Sequence, residues 1–219
     1  DATKEHVKER LRALYRQAMA HHYTHPDGRV TPKFVNLDME AYTDLHLTVA
    51  AFTEVLDELE FLTLSAGIVL QAYLPDACAI QQELTTWAMA RCARGGVPIK
   101  IRIVKGANLA MEQVEAALHG WPQAPYPTKL ETDANFKRMV AYGSQPEQAR
   151  AVRLGVASHN LFDVAYGLLL RHQHGVEEAV EFEMLEGMAN HQARAVQHEA
   201  GGLLLYAPVV KTEDFHSAI

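Results

Sequence analysis

Short apolar segments alternate with longer segments of helical periodicity, and this alternation constrains the fold more than any other feature. Strands that alternate with helices of roughly 10–18 residues are typical of a parallel sheet covered by helices. The predicted strands cover 33–39, 66–74, 99–107, 151–158, 180–186 and 202–210. The predicted helices cover 3–20, 43–58, 76–94, 109–118, 131–142, 161–172 and 188–199, with a turn at 21–29. The pattern therefore predicts an α/β fold with six parallel strands.

Two α/β architectures fit this pattern, an open doubly wound sheet and a closed (βα)8 barrel. The glycine-rich loop that holds a dinucleotide phosphate in the doubly wound fold follows none of the predicted strands. In a barrel, the active site is built at the carboxyl ends of the strands. Six strands are three quarters of such a barrel, which we favour. Polar residues recur at the predicted strand ends, namely Asp38, Gln71, Lys105, His159 and Glu186, with Tyr206 inside the last strand.

Charge and composition limit the partners that we expect. The net charge is −7 and the chain has no basic run, which argues against a nucleic-acid partner. Its apolar stretches fall far short of the roughly 20 residues that span a bilayer, and no secretory leader opens it. Cys78 and Cys92 lie on one predicted helix, about four turns apart, too far to bond. We therefore expect reduced thiols and a cytoplasmic protein.

Asp38 has a functional and a structural interpretation. It alternates with Phe34 and Asn36, so the three side chains point to one side of their strand. A carboxylate aimed into a barrel mouth is costly to bury without a partner. Asp38 is therefore either a functional group or a cap of the next helix, near Thr43.

Arg102 has the same two kinds of interpretation. It shares a strand face with Lys100, opposite the isoleucines of the same strand. An arginine in a strand interior needs an anion or several hydrogen-bond acceptors. We expect either a bound ligand or an internal ion pair with Glu183. Gly106 and Ala107, two small residues after Lys105, would let a ligand approach the backbone closely.

Three further polar residues stay open on the sequence alone. Gln71 needs hydrogen-bond partners if it is buried, and a heterocyclic ring would supply them. His159 lies in a Ser158–Asn160 segment whose amides could open a helix toward a phosphate, although a lone histidine in such a position is more often structural. Tyr206 is either a site residue pointing to the barrel interior or a plain core residue.

Twelve histidines raise the question of a metal site. His21, His22 and His25 share one polar turn, and His191 and His198 share a predicted helix. Neither group joins the carboxylates at the strand ends, and neither CxxC nor HExxH occurs. We therefore expect no metal site. GxSxG is also missing, so a serine nucleophile has no support.

In order along the chain, these motifs resemble the proline dehydrogenase domain of the bacterial proline utilization A family. One motif falls on each predicted strand, so the resemblance covers nearly the whole chain and is specific. The matching segments are FVNLDM at 34–39, VLQAY at 69–73, IRIVKGA at 101–107, ASHN at 157–160, FEMLEGM at 182–188 and YAPV at 206–209.

The resemblance implies a distorted (βα)8 barrel that binds FAD. It implies oxidation of L-proline to Δ1-pyrroline-5-carboxylate by hydride transfer to flavin N5, the first step of proline catabolism to glutamate. Electrons would pass to a membrane quinone, and an aldehyde dehydrogenase domain in the same longer protein would complete the conversion. That protein would be cytoplasmic or peripheral at the inner face of the cytoplasmic membrane.

The resemblance also assigns roles to residues of this chain. Asp38 and Arg102 take the catalytic positions, with Arg102 stabilising negative charge near flavin N5 and Asp38 accepting a hydrogen bond from Tyr206. Leu185 and Tyr206 take positions that contact the proline ring. The cofactor-binding positions are Met39, Gln71, Lys105, Gly106, Ala107, Ser158 and His159.

Two departures from the family pattern stand out. Asn108 and Leu109 replace aromatic residues that many relatives carry after the Lys-Gly-Ala motif. Moreover, neither end of the sequence resembles a natural terminus, and by the family pattern residues 1–219 hold strands three to eight of one partial barrel domain. The first two strands, with a substrate-binding lysine, and the last helix, with two carboxylate-binding arginines, would lie outside. We therefore expect residues 1–219 alone not to oxidise proline.

Two other kinds of protein remain as alternatives. One is a metal-assisted barrel lyase or hydrolase that uses Asp38, His159 and Glu186. The other is a noncatalytic barrel fragment that serves only as a folding or interaction module. A bound flavin would separate the first interpretation from both.

Overall fold

A computed structural model describes residues 2–218 of the chain, and its centre is one six-stranded parallel sheet. Each strand pairs with the next along the chain, as in the wall of a barrel. The predicted α/β partial barrel is confirmed. The sheet strands are β3 (Asn36–Leu37), β4 (Gly67–Gln71), β5 (Ile99–Val104), β6 (Val152–Ala157), β7 (Val180–Leu185) and β8 (Leu204–Tyr206).

A small hairpin precedes this sheet. The strands β1 (His22–Thr24) and β2 (Val30–Pro32) pair antiparallel, where the sequence predicts only a turn. The predicted turn itself is present at residues 26–28, between the two strands. The sequence does not predict the strands, because each has three residues with mostly exposed side chains and shows no hydrophobic alternation.

Helices cover the outer face of the sheet. The helix α5 begins with a capping box, in which Thr128 and Glu131 satisfy each other's backbone N–H groups. No helix within residues 2–218 is long and apolar enough to cross a membrane. The helices are α1 (Ala2–Ala20), α2 (Leu45–Leu56), α3 (Ala77–Ala93), α4 (Leu109–His119), α5 (Lys129–Gly143), α6 (Pro146–Ala149), α7 (Leu161–His174), α8 (Asn190–Ala200) and α9 (Phe215–Ala218).

The predicted strand bounds are too long at both sides of the sheet. Predicted segment 33–39 shortens to the two residues of β3, and 202–210 shortens to the three residues of β8. Within residues 2–218, each of these strands pairs along one side only. One-sided pairing leaves fewer hydrogen bonds to hold an extended chain, so the ladder ends early.

The two faces of the central strands differ in chemistry. Ile99, Ile101 and Ile103 of β5 are fully buried against the helix layer. The opposite face of the same strand carries Lys100 and Arg102, as predicted, and lines the barrel interior. The core therefore lies between sheet and helices, and the barrel interior is charged.

Arg91 of α3 ties together the other end of the sheet, where the strands begin. Its side chain is fully buried and all three of its nitrogens donate to backbone carbonyls. Cys78 and Cys92 lie on the same helix, and both are free thiols, as predicted. The acceptors of Arg91 are the carbonyls of Leu56, Phe61, Leu62, Leu64 and Val97.

Candidate functional site

A cavity of about 400 Å³ opens at the carboxyl ends of β3 to β7. This volume lies in the range of small-molecule sites, and the position is where barrel enzymes build theirs. Glu40, Val104, Asn108, Ala157, Glu183 and Met184 complete the lining. The other lining residues are ten of the eleven predicted site residues, namely Asp38, Met39, Gln71, Arg102, Lys105, Gly106, Ala107, Ser158, His159 and Leu185.

Tyr206 is the eleventh predicted residue and contacts the site through Arg102. The guanidinium carbon of Arg102 lies 4.2 Å from the centre of the Tyr206 ring, a cation–π contact. Burial raises the pKa of Tyr206 above its ordinary range, and the neighbouring Glu183 carboxylate adds to the increase. The Tyr206 hydroxyl therefore stays protonated.

Arg102 forms the internal ion pair that the sequence left as one alternative. Its Nε lies 2.8 Å from Oε2 of Glu183, which is fully buried. Within residues 2–218, no hydrogen bond involves its two terminal nitrogens, although the side chain is only 11% exposed and lines the cavity. The ion pair and a ligand are thus compatible, because the guanidinium keeps donors that a ligand could use.

Glu183 is the largest omission of the sequence analysis, which named it only as a partner. It also contacts Lys100, at 2.6 Å, so one carboxylate serves two cations of β5. The signal that could have found it is the pair Glu181 and Glu183 at period two in an otherwise apolar strand. Such a pair faces the same side as the cations of β5.

The structure corrects two expectations about Asp38. It does not cap a helix, because the 3₁₀ turn at 42–44 has no side-chain cap and α2 has none either. The carboxylate next to Tyr206 belongs to Glu183 rather than to Asp38. Asp38 is exposed at the cavity, where its Oδ1 accepts a hydrogen bond from the N–H of Met39 at 3.1 Å.

Gln71 is buried at the end of β4, as expected of an amide with partners. Its Nε2 donates to the backbone carbonyls of Met39 and Glu40. Gln71 therefore holds the segment after β3 against β4, which fixes the floor of the cavity beside Asp38.

Lys105 is held by two acidic residues that the sequence analysis did not single out. Its Nζ lies 2.6 Å from Asp133 of α5 and 2.7 Å from Asp163 of α7. Burial alone would lower the pKa of Lys105, but the two carboxylates outweigh burial and raise the pKa. Ser158 donates to the same Asp163 at 3.0 Å, so two predicted cofactor-binding residues share one anchor.

Gly106 has a positive φ of 124°, which L side chains rarely adopt. A Cβ there would lie 2.3 Å from the ring of Tyr73. Close packing against Tyr73 therefore requires glycine at position 106, whether or not a ligand also approaches the backbone there.

His159 is fixed in one tautomer by the strand beside it. Its Nε2 accepts a hydrogen bond from the N–H of Leu185 at 3.0 Å, so the ring is neutral and Nδ1 carries the proton. Within residues 2–218, Nδ1 is buried and has no hydrogen-bond partner. A buried donor without an acceptor is costly, and a bound ligand could satisfy it.

These residues fit a flavin better than a metal ion. The terminal nitrogens of Arg102 and the Nδ1 of His159 are donors suited to the polar atoms of a flavin, and Met39 and Leu185 supply apolar walls for a ring. In the part of the chain that the structure describes, no group of three His, Cys, Asp or Glu side chains is placed to hold a metal ion. The alternative built on Asp38, His159 and Glu186 therefore lacks its site.

A protein-family model described as proline dehydrogenase matches residues 2–217. Proline utilization A from Corynebacterium freiburgense is 54% identical with a TM-score of 0.88, over 100% of this chain and 22% of that one. The protein from Bdellovibrio bacteriovorus, inactivated by N-propargylglycine, is 37% identical with a TM-score of 0.85, over 96% of this chain and 21% of that one.

A mutant proline utilization A from Bradyrhizobium japonicum shares the fold, with a TM-score of 0.81 at 22% identity, over 95% of this chain and 20% of that one. The chain thus spans about a fifth of the length of these solved proteins. The comparison with curated proteins finds no match.

Proposed function

Because this chain belongs to the proline dehydrogenase family, we propose that it forms the flavin-facing part of a site that oxidises L-proline to Δ1-pyrroline-5-carboxylate. The observation that carries the proposal is the assembly of ten predicted site residues around one cavity. The chain spans about a fifth of the solved proteins that it resembles, so the complete site belongs to a longer protein.

FAD bound in the cavity would supply the two-electron acceptor that oxidation of a carbon–nitrogen bond requires. Lys105, Ser158, His159 and Gln71 would bind and orient it, together with the backbone of Gly106 and Ala107 and the side chain of Met39. The Nδ1 proton of His159 supports this role, since it needs an acceptor that residues 2–218 do not provide.

Arg102 would carry the catalytic charge. A guanidinium cannot lose its proton at ordinary pH, so it stabilises negative charge that develops beside it during the reaction. The ion pair with Glu183 and the ring of Tyr206 hold the guanidinium from two sides, which supports a preorganised donor.

Leu185, Tyr206 and Asp38 would form the substrate side. Leu185 offers an apolar contact for the proline ring, and Tyr206 covers Arg102 with its own ring. Asp38 lies exposed at the cavity edge, where its carboxylate can attract the secondary ammonium group of proline.

The longer protein would pass electrons to a membrane quinone and carry an aldehyde dehydrogenase domain that converts the product to glutamate. We expect it in the cytoplasm, or at the inner face of the cytoplasmic membrane during electron transfer. These assignments follow from membership of the family and from similarity to proline utilization A.

The test is anaerobic mixing of the full-length flavin-loaded protein with L-proline. We expect loss of the oxidised-flavin absorbance, with D-proline as the matched control that leaves it unchanged. Bound flavin that L-proline does not bleach would overturn the proposed substrate.

A further inference from the structure

Glu183 joins two strands that are not neighbours in the sheet. It lies on β7, whereas the two cations that it contacts, Lys100 and Arg102, lie on β5. The strand between them, β6, carries Gly155 in register with Arg102. A Cβ at Gly155 would lie 2.0 Å from Oε1 of Glu183. Because Gly155 has no side chain, the carboxylate of Glu183 can reach from β7 across β6 to the cations of β5.

The two cations of β5 differ in the number of carboxylates that they contact. Lys100 contacts two carboxylates, those of Glu181 and Glu183. Arg102 contacts only one carboxylate within residues 2–218, that of Glu183. Glu181 is about half exposed, whereas Glu183 is fully enclosed. Solvent therefore screens Glu181 but not Glu183, and Glu183 is the specific counter-charge of Arg102.

We propose that Glu183 is a positioning residue of the redox site, which fixes Arg102 beneath Tyr206 and sets the net charge that faces the cofactor. The inference rests on the proposed function, because the cofactor is the flavin assigned above. Without the carboxylate, the positive charge of Arg102 is uncompensated, and its side chain has little contact with solvent that could screen the charge. A flavin gains negative charge on reduction, so an added positive potential makes reduction more favourable.

The test compares the flavin midpoint potential of full-length Glu183→Gln with that of the wild type and of Glu181→Gln. Glutamine keeps the size of the side chain and removes its charge. We expect an upward shift in Glu183→Gln and a much smaller one in Glu181→Gln, whose charge solvent screens. A purely structural role would lower thermal stability and leave the potential unchanged, and an unchanged potential in folded, flavin-loaded Glu183→Gln would overturn the proposal.

Glu183→Asp keeps the proposal testable if the glutamine variant does not hold flavin. Aspartate retains the charge but withdraws it from Arg102 by one methylene. We expect a potential near that of the wild type and flavin reduction slowed by roughly tenfold or more at saturating proline, since misplacement of about 1 Å can cost up to about 10² in rate. A wild-type rate in folded Glu183→Asp would overturn the positioning role.

The potential can be titrated with a chemical reductant and reference dyes, so it does not depend on proline as substrate. If L-proline leaves the wild-type flavin oxidised, the proposed function fails even where the potentials shift. If L-proline reduces the wild type but Glu183→Gln keeps the wild-type potential, only the inference about Glu183 fails.

Discussion

Two arginines with little exposed surface lie at opposite ends of the sheet, and their guanidinium groups are held by different kinds of partner. Arg91, where the strands begin, is fully buried and gives every nitrogen to backbone carbonyls. Arg102, near the ends of the strands, contacts one carboxylate and one aromatic ring. Its terminal nitrogens make no hydrogen bond within residues 2–218.

This difference separates an arginine that stabilises the fold from one that can act on a bound ligand. The carbonyls around Arg91 belong to five positions of the backbone, so removing the arginine leaves them without a donor. No donor of Arg91 remains for a ligand. Arg102 keeps unused donors and lines a cavity, which are the conditions for acting on a bound molecule.

The largest expected effect tests the contribution of Arg91 to the stability of the fold. In the full-length protein, Arg91→Met leaves several buried carbonyls unpaired, each worth about 1–3 kcal/mol, so we expect a loss of about 4 kcal/mol or more in the free energy of unfolding. Denaturant unfolding measures it. Arg94→Met, an exposed arginine one turn away that pairs with Asp57, is the control and should cost under about 1 kcal/mol.

A loss for Arg91→Met no larger than for Arg94→Met would contradict the structural role of Arg91, because the carbonyls would then need no arginine.

The second-largest expected effect tests the role of Arg102 in the reaction. Arg102→Met in the full-length protein should slow flavin reduction by L-proline by about 10²–10³, the typical cost of removing one electrostatic donor, and leave proline affinity nearly unchanged. Stopped-flow absorbance measures both. Arg153→Met, an exposed arginine on the neighbouring strand β6, is the matched control. An intact reduction rate with weakened proline binding would make Arg102 a ground-state binding residue.

Sequence patterns predict one end of the sheet much better than the other. Parallel strands all end at the same edge, so polar residues at strand ends, such as Gln71 and Lys105, can be assigned to one site from the amino-acid sequence alone. The strand β5 alternates strictly, which places Arg102 on the inner face. These positions depend on local periodicity, which a sequence carries.

The anchors of these residues could not be predicted in the same way. Asp133 and Asp163 lie on helices, 28 and 58 residues after Lys105, and only the packing of α5 and α7 brings them together. An acidic residue in the first turn of a helix, as Asp163 is, ordinarily indicates the helix dipole. Arg91 carries no signal either, because an arginine in a helix is usually exposed.

A third prediction tests how Glu183 neutralises the two cations of β5, Lys100 and Arg102. Gly155→Ala introduces a Cβ that would lie 2.0 Å from Oε1 of Glu183, so the carboxylate must move from its cations. We expect a loss of about 1–3 kcal/mol in the free energy of unfolding, the usual cost of overpacking. Gly202→Ala, with no atom within 4 Å of the added Cβ, serves as the control. Equal stability of the two variants would show that Glu183 is free to relocate.

The smallest expected effect concerns Lys105, a third cation, because its partner Asp133 is a quarter exposed. Burial raises the pKa of Asp133, but its pairing with Lys105 and Lys129 outweighs burial and lowers the pKa below its usual value of 3.8. The pKa of Lys105 is raised above 10.5, because the two carboxylates outweigh burial. The carboxylate contributes stability above about pH 3.8 that is lost as the pH falls through its folded value. The ammonium contributes stability below about pH 10.5 that is lost as the pH rises.

Asp133→Asn should therefore cost about 0.5–1 kcal/mol between roughly pH 4 and pH 10, since solvent screens a pair that is a quarter exposed. The difference from the wild type should shrink below about pH 3.8, and added salt should reduce it throughout. Urea unfolding of the full-length protein across pH measures it, with Asp27→Asn, whose pair with Arg29 is exposed, as the control. A difference that persists unchanged at pH 3 would mean that Asp133 acts through packing rather than charge, which would leave Asp163 as the sole electrostatic anchor of Lys105.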